Sequence, residues 1–268
     1  MRVTADALAD ASLHGLFDLE GQVALITGAA QGLGNAIAQA FAAQHASVVL
    51  ADLDGLACER AANALRAQGA DAIAIECDVA RADAVARLAT QSMSWHGRID
   101  TLVCNAGIQG PAGPRVADDV EWQRVFDVNL RGAARLSHLL IPPMATRGNG
   151  SVILMSSIAG LRGNQAIGLY GLTKAALAQL ARNLAVQWGP RGVRVNAISP
   201  GLIRTPLAAE MLADDAFMWR RLALTPLRRV GEPHEVAGVA VMLASRAGGF
   251  VNGHNLVVDG GTTISDGN

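Results

Sequence analysis

Seven short apolar runs, separated by helical stretches rich in Ala, Leu and Arg, constrain the fold of this chain more than any other feature. Apolar runs of this length are typical of strands buried on both faces of a parallel sheet. Strands that alternate with helices require right-handed crossovers, which place helices on both faces. The pattern predicts an α/β fold with a doubly wound, seven-stranded parallel sheet, forming a single domain over 1–268. The predicted strands are Val23–Thr27, Ser47–Ala51, Ala72–Glu76, Ile99–Cys104, Gly150–Met155, Arg194–Ile198 and Leu256–Val258.

The first predicted strand leads into a glycine-rich loop, Gly28–Gly34 (GAAQGLG), and then into a helix that extends to Gln44. Rossmann-type domains use this arrangement to bind a dinucleotide pyrophosphate, because glycines permit close backbone approach and the helix N-terminus offers free N–H groups. The spacing is G-x-x-x-G-x-G and differs from the G-x-G-x-x-G fingerprint. A plain turn is the alternative interpretation of the loop alone.

An acidic residue, Asp52, ends the second predicted strand about 20 residues beyond the glycine loop. A carboxylate there accepts hydrogen bonds from both adenosine ribose hydroxyls and repels a 2′-phosphate. No basic residue replaces it, since Gln31 stands in the loop and Leu53 follows the acid. The sequence therefore predicts NAD rather than NADP as the cofactor, with a strand-end turn as the alternative role of Asp52.

The only tyrosine, Tyr170, and the only lysine, Lys174, lie four residues apart. On a helix this spacing makes them neighbours on one face. A chain whose other basic residues are all arginines has kept one compact ammonium group, whose pKa moves readily on burial. The alternative is an ordinary exposed pair on a helix surface.

Three further polar side chains are candidates for the same site. Ser156 and Ser157 follow the fifth predicted strand on opposite faces, and the residues alone do not choose between them. Asn129 lies on an otherwise apolar stretch of the predicted helix Val125–Leu140, either as a hydrogen-bonded core residue or as part of a proton path.

Composition excludes several classes of function. A net charge of -1 without blocks of like charge argues against nucleic-acid and membrane-surface partners. The three cysteines are far apart, and none of the six histidines stands at a metal-ligand spacing from a Cys, Asp or Glu. We therefore expect no metal site and a reducing, cytoplasmic setting. The N-terminal stretch matches neither a signal peptide nor a transmembrane helix. Residues 1–18 form either a docked arm or a frayed end.

Taken together, these residues resemble the classical short-chain dehydrogenase/reductase family. The matching segments span 23 to about 261 and are TGAAQGLG (27–34), Asp52, Asp78-Val79, NAG (105–107), Asn129, Ser157, Tyr170 with Lys174, and PGLIRT (200–205). The family's catalytic serine stands thirteen residues before the tyrosine, which selects Ser157. Gly171-Leu172 replaces a more usual Ser-Ala, and the N-terminal arm is rather long, but neither departure touches the chemistry.

The resemblance implies a role for each matching residue. The catalytic residues would be Asn129, Ser157, Tyr170 and Lys174, with Tyr170 as general acid/base, Lys174 also on the nicotinamide ribose, and Asn129 holding a water that links Lys174 to solvent. The NAD-binding residues would be Gly28, Gln31, Gly32, Leu33, Gly34, Asp52, Leu53, Asp78, Val79, Asn105, Ala106, Gly107, Tyr170, Lys174, Pro200, Gly201, Ile203 and Thr205. On the substrate side, the analogy implies Gln109, Ser157, Asn164, Gln165, Ile167, Tyr170, Gly201 and Leu202.

To act as a base near neutral pH, the Tyr170 phenol needs a pKa about 3 units below its usual value near 10. A cation about 4 Å away contributes on the order of 4 kcal/mol at an effective dielectric constant of 20, so Lys174 would supply most of this shift. The expected reaction is NAD-dependent hydride transfer between a secondary alcohol and its ketone. The alternatives are an acyl-carrier-protein ketoreductase and a catalytically silent NAD-binding sensor.

Two expectations concern the outer parts of the fold. The segment 202–226, with its bulky stretch Leu207–Leu224, is interpreted as a substrate lid, and a packed helix or subunit contact is the alternative. Helical stretches near 118–140 and 173–187 carry more Ala and Leu than one sheet face needs, and in the family these helices pair between subunits. We therefore expect a homotetramer. The residues cited for this contact are Ala133, Leu136, Leu177 and Leu184.

Overall fold

The computed structural model describes residues 15–110, 117–164 and 166–265. The strands are β1 (Val23–Thr27), β2 (Ser47–Asp52), β3 (Ala72–Glu76), β4 (Thr101–Cys104), β5 (Gly150–Met155), β6 (Val193–Pro200) and β7 (Asn255–Val258). The helices are α1 (Gly32–Ala43), α2 (Gly55–Arg66), α3 (Ala82–His96), α4 (Asp119–Phe126), α5 (Gly132–Arg147), α6 (Gly168–Trp188), α7 (Ala209–Ala213), α8 (Asp215–Ala223) and α9 (Pro233–Ala244).

The strands form one parallel sheet in the order β3-β2-β1-β4-β5-β6-β7. All seven predicted strands are confirmed, although β4 begins two residues late and β6 extends to Pro200. From β1 the strand order runs in one direction to β2 and β3, and then reverses, so that β4 to β7 lie on the other side of β1. This reversal opens a crevice beyond the carboxyl ends of β1 and β4, which is where doubly wound sheets bind their ligands.

Two hydrophobic layers enclose the sheet. Buried side chains of α3, α5 and α6 pack on one face, and those of α1, α2 and α9 pack on the other. The central strands are buried along their whole length, as in β1 and β5. The unbroken apolar character of these strands therefore follows from burial on both faces.

Two predicted helices are divided in the structure. The stretch Val125–Leu140 comprises the end of α4, a π-helical turn at Asp127–Arg131 and most of α5. The stretch Leu207–Leu224 contains α7 and α8, which separate at Asp214, where the carboxylate accepts a hydrogen bond from the Phe217 N–H at 2.9 Å and caps α8. Neither α7 nor α8 buries a residue fully.

The residues cited for a subunit contact lie inside the chain's own core. Ala133, Leu136 and Leu177 are buried, and Leu184 packs against the same cluster. Because they are covered by the sheet, their apolar character gives no support for a contact between subunits. Exposed apolar side chains do occur on these helices, at Leu139, Leu172 and Val186.

Of the proposed N-terminal arm, residues 1–14 lie outside the described residues. The end of the arm is attached to the body of the fold, since the Leu16 carbonyl accepts a hydrogen bond from the Ala247 N–H at 3.1 Å. No helix in the described part of the chain is long and apolar enough to cross a membrane.

Candidate active site

Tyr170 and Lys174 lie one turn apart near the start of α6, and both line a cleft at the carboxyl edge of the sheet. The Lys174 Nζ is 5.3 Å from the centre of the Tyr170 ring and donates a hydrogen bond to the Met155 carbonyl at 2.7 Å. Lys174 is only 3% exposed. The interpretation of the two residues as an ordinary surface pair is therefore wrong.

Burial sets the charge states of this pair. Burial raises the pKa of Tyr170 to about 12, although the hydrogen bond from Ser157 acts to lower it. Burial also lowers the pKa of Lys174 to about 8. The chain by itself thus holds Tyr170 as a neutral phenol, whereas the spacing of Tyr170 and Lys174 predicted a lowered pKa for this phenol. Desolvation of the phenol, which sequence spacing does not reveal, opposes the attraction of the ammonium group.

The two neighbouring serines have different tasks. The Ser156 hydroxyl is buried and donates a hydrogen bond to the Lys174 carbonyl at 2.7 Å, which ties β5 to α6. The Ser157 oxygen accepts a hydrogen bond from the Ala159 N–H at 3.1 Å and lines the cleft beside Tyr170. Because the Ser156 hydroxyl is committed to the Lys174 carbonyl, Ser157 is the better placed of the two serines to donate to an oxygen bound beside Tyr170.

Asn129 lies in the π-helical turn, a distortion that often occurs at functional sites. Its amide donates to the Ile108 carbonyl at 2.9 Å and to the Thr173 hydroxyl at 3.0 Å, and its oxygen accepts from the Ile108 N–H at 2.8 Å. These bonds hold the loop after β4 against α6. A Cβ added to Gly107 in this loop would lie 3.3 Å from the Lys174 Nζ, so the loop closely confines the ammonium group.

The glycine-rich loop forms a cradle that fits a dinucleotide pyrophosphate. A Cβ at Gly34 would lie 2.1 Å from the Gly28 carbonyl oxygen, so only glycine permits this close approach of α1 to the loop. The Asn105 amide donates to the carbonyls of Thr27 and Gly28, both at 3.0 Å, and fixes the loop against β4. No side chain caps the N-terminus of α1, which leaves its N–H groups available to an anion.

Asp52 ends β2 with its carboxylate held in place by two backbone groups. It accepts hydrogen bonds from the Ala30 N–H at 2.9 Å and from the Asp54 N–H at 3.2 Å. The first bond connects the carboxylate to the glycine-rich loop. The following side chain, Leu53, is exposed and carries no charge that could accept a 2′-phosphate.

The cleft brings together most of the predicted nicotinamide-side and substrate-side residues. Those lining it are Leu33, Asn105, Gly107, Gln109, Ser157, Asn164, Ile167, Tyr170, Lys174, Pro200, Gly201, Leu202, Ile203 and Thr205. The other predicted cofactor residues follow β1 to β4 without lining this cleft, and they are Gly28, Gln31, Gly32, Gly34, Asp52, Leu53, Asp78, Val79 and Ala106. Gln165 lies outside the described residues.

The cleft also contains two arginines that the sequence did not single out. Arg162, from the loop after β5, and Arg221, from α8, both line it, together with Leu207 and Met211 of the segment before α8. Nothing in the sequence distinguishes these two arginines from the many others. The position of Arg162 depends on the path of the loop after β5, and that of Arg221 on how α8 packs over the cleft. In the described part of the chain, no cluster of three His, Cys, Asp or Glu residues could hold a metal ion.

Comparisons with known proteins agree with this geometry. A family model described as enoyl-(acyl carrier protein) reductase matches residues 28–263. The cis-4-hydroxycyclohexanecarboxylate dehydrogenase of Sinomonas cyclohexanicum is 39% identical over 243 residues, which cover 90% of this chain and 96% of that protein.

Two solved structures have the same fold. A 7α-hydroxysteroid dehydrogenase complexed with NADH and 7-oxo glycochenodeoxycholic acid is 34% identical with a TM-score of 0.88, and the match covers 92% of this chain and 96% of that one. A gluconate 5-dehydrogenase from Burkholderia cenocepacia with NADP and tartrate is 33% identical with a TM-score of 0.90, covering 94% and 98%. The chain therefore belongs to the classical short-chain dehydrogenase/reductase family, as its sequence motifs indicated.

Proposed function

We propose that this oxidoreductase transfers a hydride between a secondary alcohol and NAD, with Tyr170 as the general acid/base. The observation that carries the proposal is the meeting of the buried Lys174 with the half-buried Tyr170 and Ser157 in one cleft, next to a loop that fits a dinucleotide. The names of its relatives support the reaction class, since hydroxysteroid, gluconate and hydroxycyclohexanecarboxylate dehydrogenases all act on secondary alcohols or their ketones.

In the proposed reaction, the Ser157 hydroxyl donates a hydrogen bond to the substrate oxygen and holds it beside the Tyr170 phenol. The phenolate form of Tyr170 accepts the alcohol proton during oxidation, and the phenol returns it during reduction. The Lys174 Nζ lies 5.3 Å from the centre of the Tyr170 ring, and an ammonium group about 5 Å from a phenolate oxygen would stabilise the phenolate by about 3 kcal/mol at an effective dielectric constant of 20. A nicotinamide held in this cleft would supply the hydride acceptor for oxidation and the hydride donor for reduction.

The choice of NAD over NADP rests on Asp52. Its carboxylate would lie against the adenosine ribose, where it repels a 2′-phosphate, and the exposed Leu53 supplies no positive charge. The related structures include one with NADH and one with NADP, so the family alone does not select a cofactor.

The substrate side of the cleft is formed by Gln109, Asn164 and Leu202, and we propose the segment 202–226 as its lid. The Gln109 amide donates to the Leu207 carbonyl at 3.2 Å, which connects the loop after β4 to this segment. We further propose a cytoplasmic homotetramer. The three cysteines are free and buried, as expected in a reducing compartment.

The test is a set of initial rates with secondary alcohols and ketones, measured with NAD and with NADP. We expect turnover with NAD, a lower kcat/KM with NADP, and no turnover by Tyr170→Phe at any pH. NAD binding without turnover of any substrate would instead support the silent sensor. Activity confined to NADPH and acyl-carrier thioesters would support the ketoreductase.

A further inference from the structure

Two arginines line the substrate end of the cleft, and the proposed reaction uses neither. Arg162 follows the short 3₁₀ turn Ile158–Gly160, next to the catalytic serine. Arg221 lies on α8, within the proposed lid. The cleft thus receives one cation from the loop after β5 and one from the proposed lid.

Arg221 is incompletely satisfied. Its Nη1 is buried and has no hydrogen-bond partner in the described part of the chain. The Arg221 Cζ lies over the Phe217 ring, 5.3 Å from its centre, and this contact supplies no hydrogen-bond acceptor to Nη1. Burial and the nearby positive charge of Arg162 both lower the pKa of Arg221. A buried donor without an acceptor is rare enough in folded proteins to require an explanation.

The charges around the cleft are unbalanced. Its described lining contains three cationic side chains, Arg162, Lys174 and Arg221, and no carboxylate. Arg162 makes no ion pair with any described residue, whereas many surface arginines of the chain do, such as Arg229 with Glu235. The nearby Asp214 carboxylate caps α8 and does not line the cleft. Two like charges that face one cavity are stabilised by an anion between them.

We propose that Arg162 and Arg221 bind an oxyanion of the substrate, so that the alcohol oxidised here is a hydroxy acid or a hydroxy phosphate ester. This inference rests on the proposed function, because it assigns the substrate class of the same cleft. Guanidinium groups bind carboxylates and phosphates through paired N–H donors, which would occupy the unused Nη1 of Arg221.

The cofactor's own phosphates are less suited to this position. A cofactor pyrophosphate would bind at the uncapped N-terminus of α1 and the glycine-rich loop. Arg162 instead lies in the loop that leads to Tyr170, next to the predicted substrate residue Asn164. An anion held by Arg162 and Arg221 would thus be attached to the molecule whose hydroxyl reaches Ser157.

The kinetic test uses matched substrates that differ only in charge. Cyclic and linear hydroxy acids are compared with their methyl esters, which lack the negative charge. They are also compared with analogues in which a phosphate monoester replaces the carboxylate, and NAD is the cofactor throughout. We expect kcat/KM to be about 10- to 100-fold higher for one anionic series than for the esters, mainly through KM. Arg221→Gln and Arg162→Gln should each remove most of this preference, because they lower kcat/KM for the anions more than for the esters.

The exposed neighbour Arg220, on the same helix but outside the cleft, provides the control, and Arg220→Gln should behave like the wild type. The preferred anionic series identifies carboxylate or phosphate. Equal kcat/KM for anions and esters would overturn the proposal, as would Gln variants that keep the preference. An equal rise in KM for NAD would show that the arginines bind the cofactor instead.

A binding measurement separates this proposal from the proposed reaction. Isothermal titration of the same acids, monophosphates and esters reports affinity whether or not hydride transfer occurs. Anion binding that is weakened by Arg221→Gln, without turnover of any alcohol, would support the anion site and refute the proposed function. Turnover of neutral alcohols without anion binding would do the reverse. Thermal melting of each variant checks its folding, and Arg162→Gln provides a second test should Arg221→Gln unfold.

Discussion

Replacing Lys174 with Met tests two opposite effects of the buried ammonium group. Met keeps an unbranched side chain of similar length but removes the charge and the hydrogen bond to the Met155 carbonyl. We expect the change to reduce activity, because the positive charge stabilises the Tyr170 phenolate. We also expect it to remove a pH-dependent penalty on folding, because the structure holds the Lys174 pKa below its ordinary value.

Both magnitudes follow from the geometry. The Lys174 Nζ is 5.3 Å from the centre of the Tyr170 ring. A charge about 5 Å from the phenolate oxygen would contribute about 3 kcal/mol at an effective dielectric constant of 20, equivalent to about 2 pKa units or about a 100-fold loss of kcat/KM at pH 7. For folding, the Lys174 pKa falls from 10.5 to about 8. The unfolded chain therefore holds one more proton between these values, so stability rises with pH there by about 3 kcal/mol. Lys174→Met should lack this rise.

The assays are pH–rate profiles and urea unfolding between pH 7 and pH 10.5. The difference in unfolding free energy between wild type and variant isolates Lys174, since other groups titrate in both proteins. Lys174→Arg is the control. Its wide guanidinium does not fit the slot beside Gly107, so we expect activity to fall. The guanidinium stays charged over this pH range, so the stability of this variant should show no titration step from residue 174. Wild-type rates at pH 7 in either variant, or an unchanged pH dependence of stability in Lys174→Met, would refute the reasoning.

Three further predictions use other parts of the molecule. Asp52→Ala with Leu53→Arg should raise kcat/KM for NADP and lower it for NAD, each by about 10-fold or more; a wild type that already prefers NADP would contradict our interpretation of Asp52. Gly107→Ala should lower kcat and cost about 1–2 kcal/mol in stability, because the new methyl group crowds the Lys174 ammonium, whereas Gly163→Ala, which has open space around it, should do neither. Light scattering at micromolar concentration should give the mass of a tetramer, and a monomer mass would refute the homotetramer.

The sheet was predictable because its strands are buried on both faces. Continuous apolar runs such as those of β1 and β5 result directly from this burial, and the polar or glycine residues that follow them mark the ligand edge. The π-helical turn at Asp127–Arg131 was not predictable, since its apolar pattern resembles that of an ordinary helix. In the structure, Asn129 of this turn donates hydrogen bonds to the Ile108 carbonyl and the Thr173 hydroxyl, contacts that the sequence pattern does not reveal.

The electrostatics of the site depend on packing in the same way. The spacing of Tyr170 and Lys174 predicted their proximity, but it could not reveal the desolvation that raises one pKa and lowers the other. Likewise, the Nη1 group of Arg221 is buried without a hydrogen-bond acceptor, and this depends on how α8 packs over the cleft. Patterns of residue type indicate which groups meet, whereas burial decides how each of them is charged.

The single lysine and the single tyrosine of this chain give the site its own spectroscopic labels. Growth on isotopically labelled lysine would produce one side-chain amine resonance in the whole protein, and it would arise from Lys174 without any assignment by mutation. The ultraviolet difference band of phenolate formation would likewise report Tyr170 alone. Protonation of both groups could thus be followed in the unmodified protein as cofactor and substrate are added.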